Sequence, residues 1–176
     1  VISVAAVSAL IAVAIFAEFV APYNPTVVSA NRTYAPPQPV YIIEDGRLTW
    51  PFAYGLTSSV EADTLRRVYA IDHTQRIELG LFVRGEPYRL LGLIPADVRL
   101  FGAKDPTQKV SLLGSDRLGR DLLSRMVHAT RISLSIGLAA VAISLLLGVT
   151  LGGLSGYFGG RVDMLIQRLI EFIDAI

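Results

Sequence analysis

Six charged side chains are concentrated in one short segment of the chain. They stand directly before residues 132–160, which carry no charge. The six are Asp116, Arg117, Arg120, Asp121, Arg125 and Arg131. From Ser115 the apolar residues recur with a period of 3.6, which predicts an amphipathic helix over residues 112–131 with Ser115 or Asp116 as N-cap. Such a helix is suited to lie along a membrane surface with its charges in water or against a partner. The predicted docking residues are Asp116, Arg120, Asp121 and Arg125.

The spacing within this segment indicates where its charges would go. Asp121 and Arg125 are at i and i+4, which favours a weak ion pair on one helix face. Arg131 stands at the end of the charged stripe. A long cationic side chain there can extend its charge to water while its carbons stay in the apolar layer. We therefore expect Arg131 to mark the membrane interface.

Enzyme chemistry has little support in the sequence. His73 and His128 lie far apart, no histidine pair has metal-ligand spacing, and no Gly-x-Ser-x-Gly motif occurs. Asp72-His73 predicts a turn. The absence of cysteine excludes thiolate catalysis and cysteine-bound metals, and the net charge of +1 does not favour nucleic acid. We expect neither an enzyme nor a cofactor in this chain.

Charge is segregated along the chain. Residues 18–131 hold fourteen of the sixteen Lys and Arg and twelve of the fifteen Asp and Glu. A bilayer core needs about 20 apolar residues in helix, so the pattern predicts transmembrane helices over 1–20 and 132–158. A cleaved secretory signal is the alternative for the first, opposed by its length and by bulky residues over 16–20. Because residue 1 lacks a basic flank, we expect that a short cytoplasmic segment precedes it.

Residues 21–111 predict an extracytoplasmic region with a small β domain. Strand-forming residues over 40–43 and 47–50 flank Glu44-Asp45-Gly46, which favours a β-hairpin. Two more strands are predicted over 66–71 and 76–83, the second leading into a turn at 84–87. Tyr157, Phe158 and Arg161 form an aromatic pair and a positive charge of the kind expected at a cytoplasmic face. The second span would therefore run inward, which places residues of about 21–131 outside the membrane.

A row of small residues lies within the predicted second span. Ala140 and Ser144 begin it, and a residue at every fourth position continues it. The predicted helix-packing residues are Gly148, Gly152, Gly156 and Gly160. In lipid, close backbone approach is what drives helices together, so the row indicates neighbouring helices. The alternative is that glycine and alanine are simply frequent in membrane helices.

Residues 162–176 predict the start of a third transmembrane helix. Ionisable groups inside a bilayer usually face a protein interior or an aqueous path. The predicted translocation-path residues are Arg168, Glu171 and Asp174. The alternative is a cytoplasmic surface helix with a solvated charged face.

Several motifs together resemble one family of membrane proteins. They are Leu113–Arg125 (Leu-Gly-Ser-Asp-Arg-Leu-Gly-Arg-Asp-Leu-Leu-Ser-Arg), Arg131-Ile132-Ser133-Leu134, Gly137, Gly156–Asp163 and Gln167-Arg168. The resemblance is dense over residues 112–176. It is to the inner-membrane permease subunits of bacterial peptide-type ABC importers, the dipeptide, oligopeptide and nickel transport permease family.

The resemblance implies a fold and a set of partners. The fold is an α-helical membrane protein, of which this chain is the N-terminal half of a six-helix permease, with a small, mostly β extracytoplasmic insertion. The partners are a second permease subunit that completes the pore, two cytoplasmic ATPase subunits, an extracytoplasmic solute-binding protein and membrane lipid. ATP would bind on the ATPase subunits, since no Gly-x-x-x-x-Gly-Lys-Ser/Thr loop occurs here. No nucleic acid is expected.

The chain departs from the family pattern in several places. The common residues are Thr at Ser115, Gly at Ala129 and Asp at Glu171. Residues 82–93 resemble a subgroup with a long external insertion, and the sequence stops before the Glu-Ala-Ala loop that grips the ATPase, which suggests a truncated subunit. The predicted function is peptide import across the bacterial inner membrane, with nickel and glutathione as open alternatives for cargo. A membrane-tethered extracytoplasmic binding or sensor module is the alternative class.

Overall fold

The structure, a computed structural model, describes residues 2–44, 46–61 and 66–174, with nothing described of the Asp174 side chain. The chain divides into two units, residues 1–132 and 133–176. Asp45 of the predicted Asp-Gly turn lies outside the described residues, as do residues 62–65.

The first unit begins with two short helices that follow each other closely. They are α1, Ile2–Ile15, and α2, Ala17–Val20. The amide of Phe16 donates to the Ala12 carbonyl and that of Val20 donates to Phe16, so helical hydrogen bonding continues across the junction. A 3₁₀ turn, Ala30–Arg32, lies in the connector that follows.

A four-stranded antiparallel sheet forms most of the first unit. Its strands are β1, Tyr41–Glu44, β2, Arg47–Val60, β3, Arg67–Leu90, and β4, Ile94–Ala103. They pair in sequence order, β1-β2-β3-β4. Ala53, Ile77, Ala103 and Val110 form the buried apolar core against it. The predicted hairpin corresponds to β1 and β2, while the sheet as a whole is larger than the small domain expected.

The prediction of separate strands over 66–71 and 76–83 is wrong, because β3 runs through both. Its pairing with β2 shifts between Tyr54↔Arg76 and Gly55↔Asp72. Within this bulge the Asp72 carboxylate accepts hydrogen bonds from the backbone and the hydroxyl of Thr74. The predicted turn at Asp72 is therefore a local bulge that re-aims a continuous strand. Residues 84–87 likewise form a second register shift, and β3 continues past them.

The predicted helix over 112–131 is wrong at both ends. Residues 112–121 form turns, and helix α3 spans Leu122–Phe158 without a break after Arg131. Gly114 and Gly119 explain the late start, since their φ values of 79° and 71° belong to the left-handed region. The separate interfacial helix and second transmembrane helix are thus one element.

Among the described residues, α3 is the one helix long and apolar enough to cross a membrane. Its most apolar stretch buries no side chain within the chain. Gly159 and Gly160, with φ of 57° and 53°, end it. Helix α4, Gly160–Asp174, follows, with apolar and charged residues on opposite faces. Gly160 therefore begins α4 and does not continue the α3 glycine row, a correction to the predicted packing set.

Gly119 should tolerate alanine less well than Gly92. A Cβ at Gly119 would overlap the Ser29 carbonyl oxygen, whereas a Cβ at Gly92 meets open space at a similar φ of 75°. Gly92→Ala should cost about 1 kcal/mol of backbone strain, and Gly119→Ala about 1–3 kcal/mol more for the overlap. The measurement is the apparent melting temperature of each variant in detergent. Equal melting temperatures would contradict the close approach.

Candidate functional site

The Asp116 carboxylate is the centre of the charged motif. Its Oδ2 lies 2.7 Å from Arg120 Nη2 and 2.6 Å from Arg125 Nη1. Its Oδ1 accepts the backbone N–H groups of Leu118 and Arg120, both at 2.9 Å. Partial burial raises the pKa of Asp116, but the hydrogen bonds from Arg120 and Leu118 outweigh it and lower the pKa to about 2. With 11% of its side chain exposed, Asp116 is committed to internal bonds.

Asp121 has a different environment from Asp116. Its Oδ2 accepts the backbone amide and the hydroxyl of Ser124, each at 2.7 Å, which makes Asp121 the N-cap of α3. The Ser124 hydroxyl in turn accepts the amide of Tyr23 at 3.0 Å. Asp121 is 7% exposed, and burial raises its pKa against the opposing effects of Ser124 and the Arg32 charge. The predicted Asp121–Arg125 pair is wrong, because Arg125 binds Asp116 instead.

The turns before α3 hold the connector that leaves the first helices. The Ser115 hydroxyl accepts the Ala35 amide at 2.8 Å, and the Ser115 amide donates to the Ala35 carbonyl at 3.0 Å. The Tyr34 amide donates to the Asp116 carbonyl at 3.0 Å. Gly114 allows this contact, because a Cβ there would press on the Ala35 carbonyl oxygen. The turns over residues 114–116 therefore hold the backbone of residues 34–35 in place.

Arg131 binds the end of the first helices. Its Nε donates to the Ala14 carbonyl at 2.6 Å, and its Nη2 donates to Ile15 at 2.9 Å. Its Nη1 and Nη2 also contact the two Glu18 carboxylate oxygens at 2.5 and 2.6 Å. Beside these polar contacts, Ala17, Ala21 and Val127 form a buried apolar cluster. Arg131 is thus held within the protein rather than extended to water as expected.

Arg99 of β4 reaches the same helix end from the sheet. Its Nη1 donates to the carbonyls of Glu18 at 3.1 Å and Ala21 at 2.8 Å. Its Nη2 donates to the backbone carbonyl of Glu86 at 3.3 Å, and its guanidinium lies 4.9 Å from the Tyr88 ring centroid. Arg99 is only 3% exposed. We call the carbonyls of residues 14–21 together with Glu18, Arg99 and Arg131 the helix-end junction.

The helix-end junction was not predicted from the sequence. A signal for Glu18 and Arg131 exists, because each is the first charge beside an apolar run and the two runs are predicted antiparallel. Arg99 offers no such signal, since a single arginine in a strand is usually solvated. The Asp121–Ser124 cap could be recognised from its i, i+3 spacing.

The remaining predicted site residues all lie in the second unit. Gly148, Gly152 and Gly156 lie on α3, and a Cβ at each would meet nothing within 4 Å. Arg168 Nη1 lies 3.2 Å from Glu171 Oε2, with both side chains exposed. The side chain of Asp174, the third predicted path residue, lies outside the described residues. A role in helix packing or in a translocation path stays a prediction for all of these.

The two histidines lie in unrelated surroundings. His73 packs its ring edge against Tyr54 in the sheet, with the ring centroids 4.5 Å apart. His128 on α3 has Nδ1 2.9 Å from the Ser124 carbonyl. Each has a structural contact that accounts for its position.

The two aspartates of the motif should respond oppositely to pH and differently to amide substitution. Because the folded pKa of Asp116 lies below its ordinary value of 3.8, its contribution to stability is present above pH 3.8 and is lost as the pH falls toward 2. Because burial raises the pKa of Asp121, its ionised form costs stability at neutral pH and acidification relieves that cost. At pH 7, Asp116→Asn should lower the melting temperature by several degrees and Asp121→Asn should change it little.

The measurement is the melting temperature of both variants and the parent in detergent at pH 7 and pH 3. The Asp116→Asn deficit should shrink at pH 3. A deficit that is the same at both pH values, or a larger one for Asp121→Asn at pH 7, would contradict these assignments.

Comparison with known proteins identifies relatives of one kind. The chain is 48% identical over 71 residues to the dipeptide transport system permease protein DppC of Lactococcus lactis subsp. cremoris, which is 40% of this chain and 21% of that protein. It is 52% identical over 65 residues to the di/tripeptide transport system permease protein DppC of Pseudomonas aeruginosa, covering 37% and 22% of the two chains. It is 40% identical over 77 residues to the oligopeptide transport system permease protein OppC of Bacillus subtilis, covering 44% and 25%.

The chain thus spans about a fifth to a quarter of the length of these curated relatives. No family profile and no solved structure matches it. The relatives are permease proteins of transport systems, so this is the sequence of a membrane protein. The resemblance to the permease subunits of peptide-type ABC importers, indicated by the motifs over residues 113–168, is confirmed over part of the chain.

Proposed function

We propose that this chain is part of a permease subunit of an ATP-driven importer that moves dipeptides or oligopeptides across the bacterial inner membrane. The subunit has six membrane helices and forms the pore with a second permease subunit. Two cytoplasmic ATPase subunits bind ATP, and an extracytoplasmic solute-binding protein delivers the peptide. Residues of about 21–131 lie on the extracytoplasmic side.

The observation that carries this proposal is the identity of 40–52% to dipeptide, tripeptide and oligopeptide permeases over 65–77 residues. These relatives favour a permease over a membrane-tethered sensor. The surface of α3 agrees with the proposal, because an apolar helix with open space at Gly148, Gly152 and Gly156 can accept other helices at close range. Sister helices of the same subunit or of the partner permease would supply them.

The transport step is a change between inward-open and outward-open arrangements of the paired helices, driven by closure of the ATPases. In this chain the helix-end junction holds the first helices to the start of α3 through Arg131 and to the sheet through Arg99. The sheet is the surface on which the binding protein docks. Arg125, with 42% of its side chain exposed, is the most accessible of the predicted docking residues.

Arg168 and Glu171 would line the path from the charged face of α4. An ionised side chain in a bilayer costs at least about 2.5 kcal/mol, so a lipid-facing position for this pair is unfavourable. Their 3.2 Å contact reduces that cost, and an aqueous path removes it. A cytoplasmic surface position for α4 satisfies the same charges, and the two are separated by labelling an Arg168→Cys variant from the cytoplasmic side with and without transport substrate.

The proposed activity is tested with the full-length subunit, its partner permease, both ATPases and the binding protein in proteoliposomes. We expect ATP-dependent accumulation of a radiolabelled dipeptide that stops when the binding protein is omitted. Labelled glutathione and Ni²⁺ are measured in parallel, because the permeases to which the chain is similar are named for different cargoes and do not identify the cargo of this one. If neither the peptide nor any other cargo is taken up under these conditions, the proposal is contradicted.

Gly152→Leu should block assembly of the importer, because the added side chain fills the groove that neighbouring helices need. The matched control is Gly153→Leu, which changes helix propensity equally but points about 100° away around α3. Both positions meet open space within the chain, so neither substitution clashes internally. The measurement is the yield of intact complex after affinity purification. Wild-type yield from Gly152→Leu, or equal losses from both variants, would count against the glycine row.

A further inference from the structure

Phe82 is held in a backbone conformation that phenylalanine rarely adopts. Its φ is 55°, in the left-handed region. The β3–β4 pairing runs from Leu81↔Phe101 to Val83↔Arg99 in one register and steps over Phe82. A bulky residue with positive φ is a genuine outlier, and such strain persists only where the surrounding structure imposes it.

The residue in this conformation has a large apolar side chain that is exposed. Phe82 is 64% exposed, and its neighbour Leu81 is also exposed. The Phe82 ring contacts the Phe19 ring of α2, with the centroids 6.1 Å apart. Phe16, one helical turn before Phe19, is exposed as well. The Phe19–Phe82 pair lies where the sheet meets the first helices. Together with the exposed side chains of Phe16 and Leu81, which are near it in the sequence, it defines what we call the apolar patch.

The helix-end junction gives the depth of this patch. Glu18, which lies between Phe16 and Phe19, pairs with Arg131 at 2.5 Å. Charged groups are strongly disfavoured in the hydrocarbon core and concentrate at its boundary. The patch therefore lies level with the headgroup boundary. It is also continuous with α1, whose apolar side chains from Ile2 to Ile15 are largely exposed.

We propose that Phe82 and Leu81 insert into the outer surface of the bilayer, so that β3 of the external sheet rests on lipid beside the first helices. The occupant of the patch is phospholipid of the outer leaflet. Aromatic side chains are favoured at this boundary, where one side of the ring meets acyl chains and the other meets polar groups. The proposal rests on the membrane location of α1 in the proposed function.

The test uses brominated-lipid quenching in the assembled importer. Trp50 is the one tryptophan of this sequence, so Trp50→Phe, together with phenylalanine at every other tryptophan of the assembled importer, provides a background in which a single introduced tryptophan reports. Phe82→Trp is the probe. Tyr34→Trp is the matched control, because Tyr34 has the same φ of 55° and is 68% exposed. Leu10→Trp in α1 reports separately whether the first helix is in the membrane.

Each variant is reconstituted in dioleoyl phosphatidylcholine and in its dibrominated analogue, with iodide as the aqueous quencher. We expect the brominated lipid to reduce the fluorescence of the Phe82→Trp variant at least two-fold, while the Tyr34→Trp variant responds only to iodide. A Phe82→Trp signal that responds to iodide but not to brominated lipid would overturn the proposal. A signal shielded from both quenchers would overturn it as well, because it indicates a protein occupant.

The Leu10→Trp variant separates this proposal from the proposed function. If brominated lipid quenches the Leu10→Trp signal but not the Phe82→Trp signal, the lipid contact of the sheet alone fails. If it quenches neither signal, the membrane location of α1 fails together with the lipid contact.

Discussion

Hydrogen bonding to the carbonyl groups at the end of the first helices joins the helices, the sheet and α3 within the first unit. The last carbonyls of a helix have no partner within it, and leaving them unpaired in a low-dielectric environment is costly. Here Arg131 donates hydrogen bonds to the carbonyls of Ala14 and Ile15, and Arg99 donates to the carbonyls of Glu18 and Ala21. Because one arginine comes from α3 and the other from β4, satisfying these groups joins three elements at one point.

The charged motif before α3 has a structural role that its sequence alone did not indicate. A stripe of fixed charges suggests a surface for a partner, yet both carboxylate oxygens of Asp116 and Oδ2 of Asp121 accept internal donors. One carboxylate organises two arginines and a turn, and the other caps a helix. The charges are placed before the apolar segment because the start of α3 must be held rigidly to the connector and to the first helices.

The sequence predicted elements well where a local pattern determines them. Apolar length located α3, and the Asp-Gly pair with its flanking β-formers located the β1–β2 hairpin. It failed where tertiary contacts override the local pattern. The 3.6 period before Leu122 suggested a helix, but Gly114 and Gly119 approach the backbone of residues 29–35 and require left-handed φ. At Asp72 the sequence predicted a turn between two strands. The structure has a bulge within β3 instead, because pairing with β2 continues on both sides.

Arg99 shows why the junction itself lay beyond prediction. Nothing near residue 99 distinguishes it from a solvated arginine in an edge strand, and its partners are carbonyls about 80 residues earlier, which carry no side-chain signal. The position of Arg99 has a consequence for how force is transmitted through the protein. Under the proposed function, a force applied to the sheet by a docked binding protein would reach the first helices through Arg99 and the start of α3 through Arg131, with no flexible loop between them. Hydrogen bonds from a planar guanidinium to backbone carbonyls suit that task, because they fix position and orientation at once.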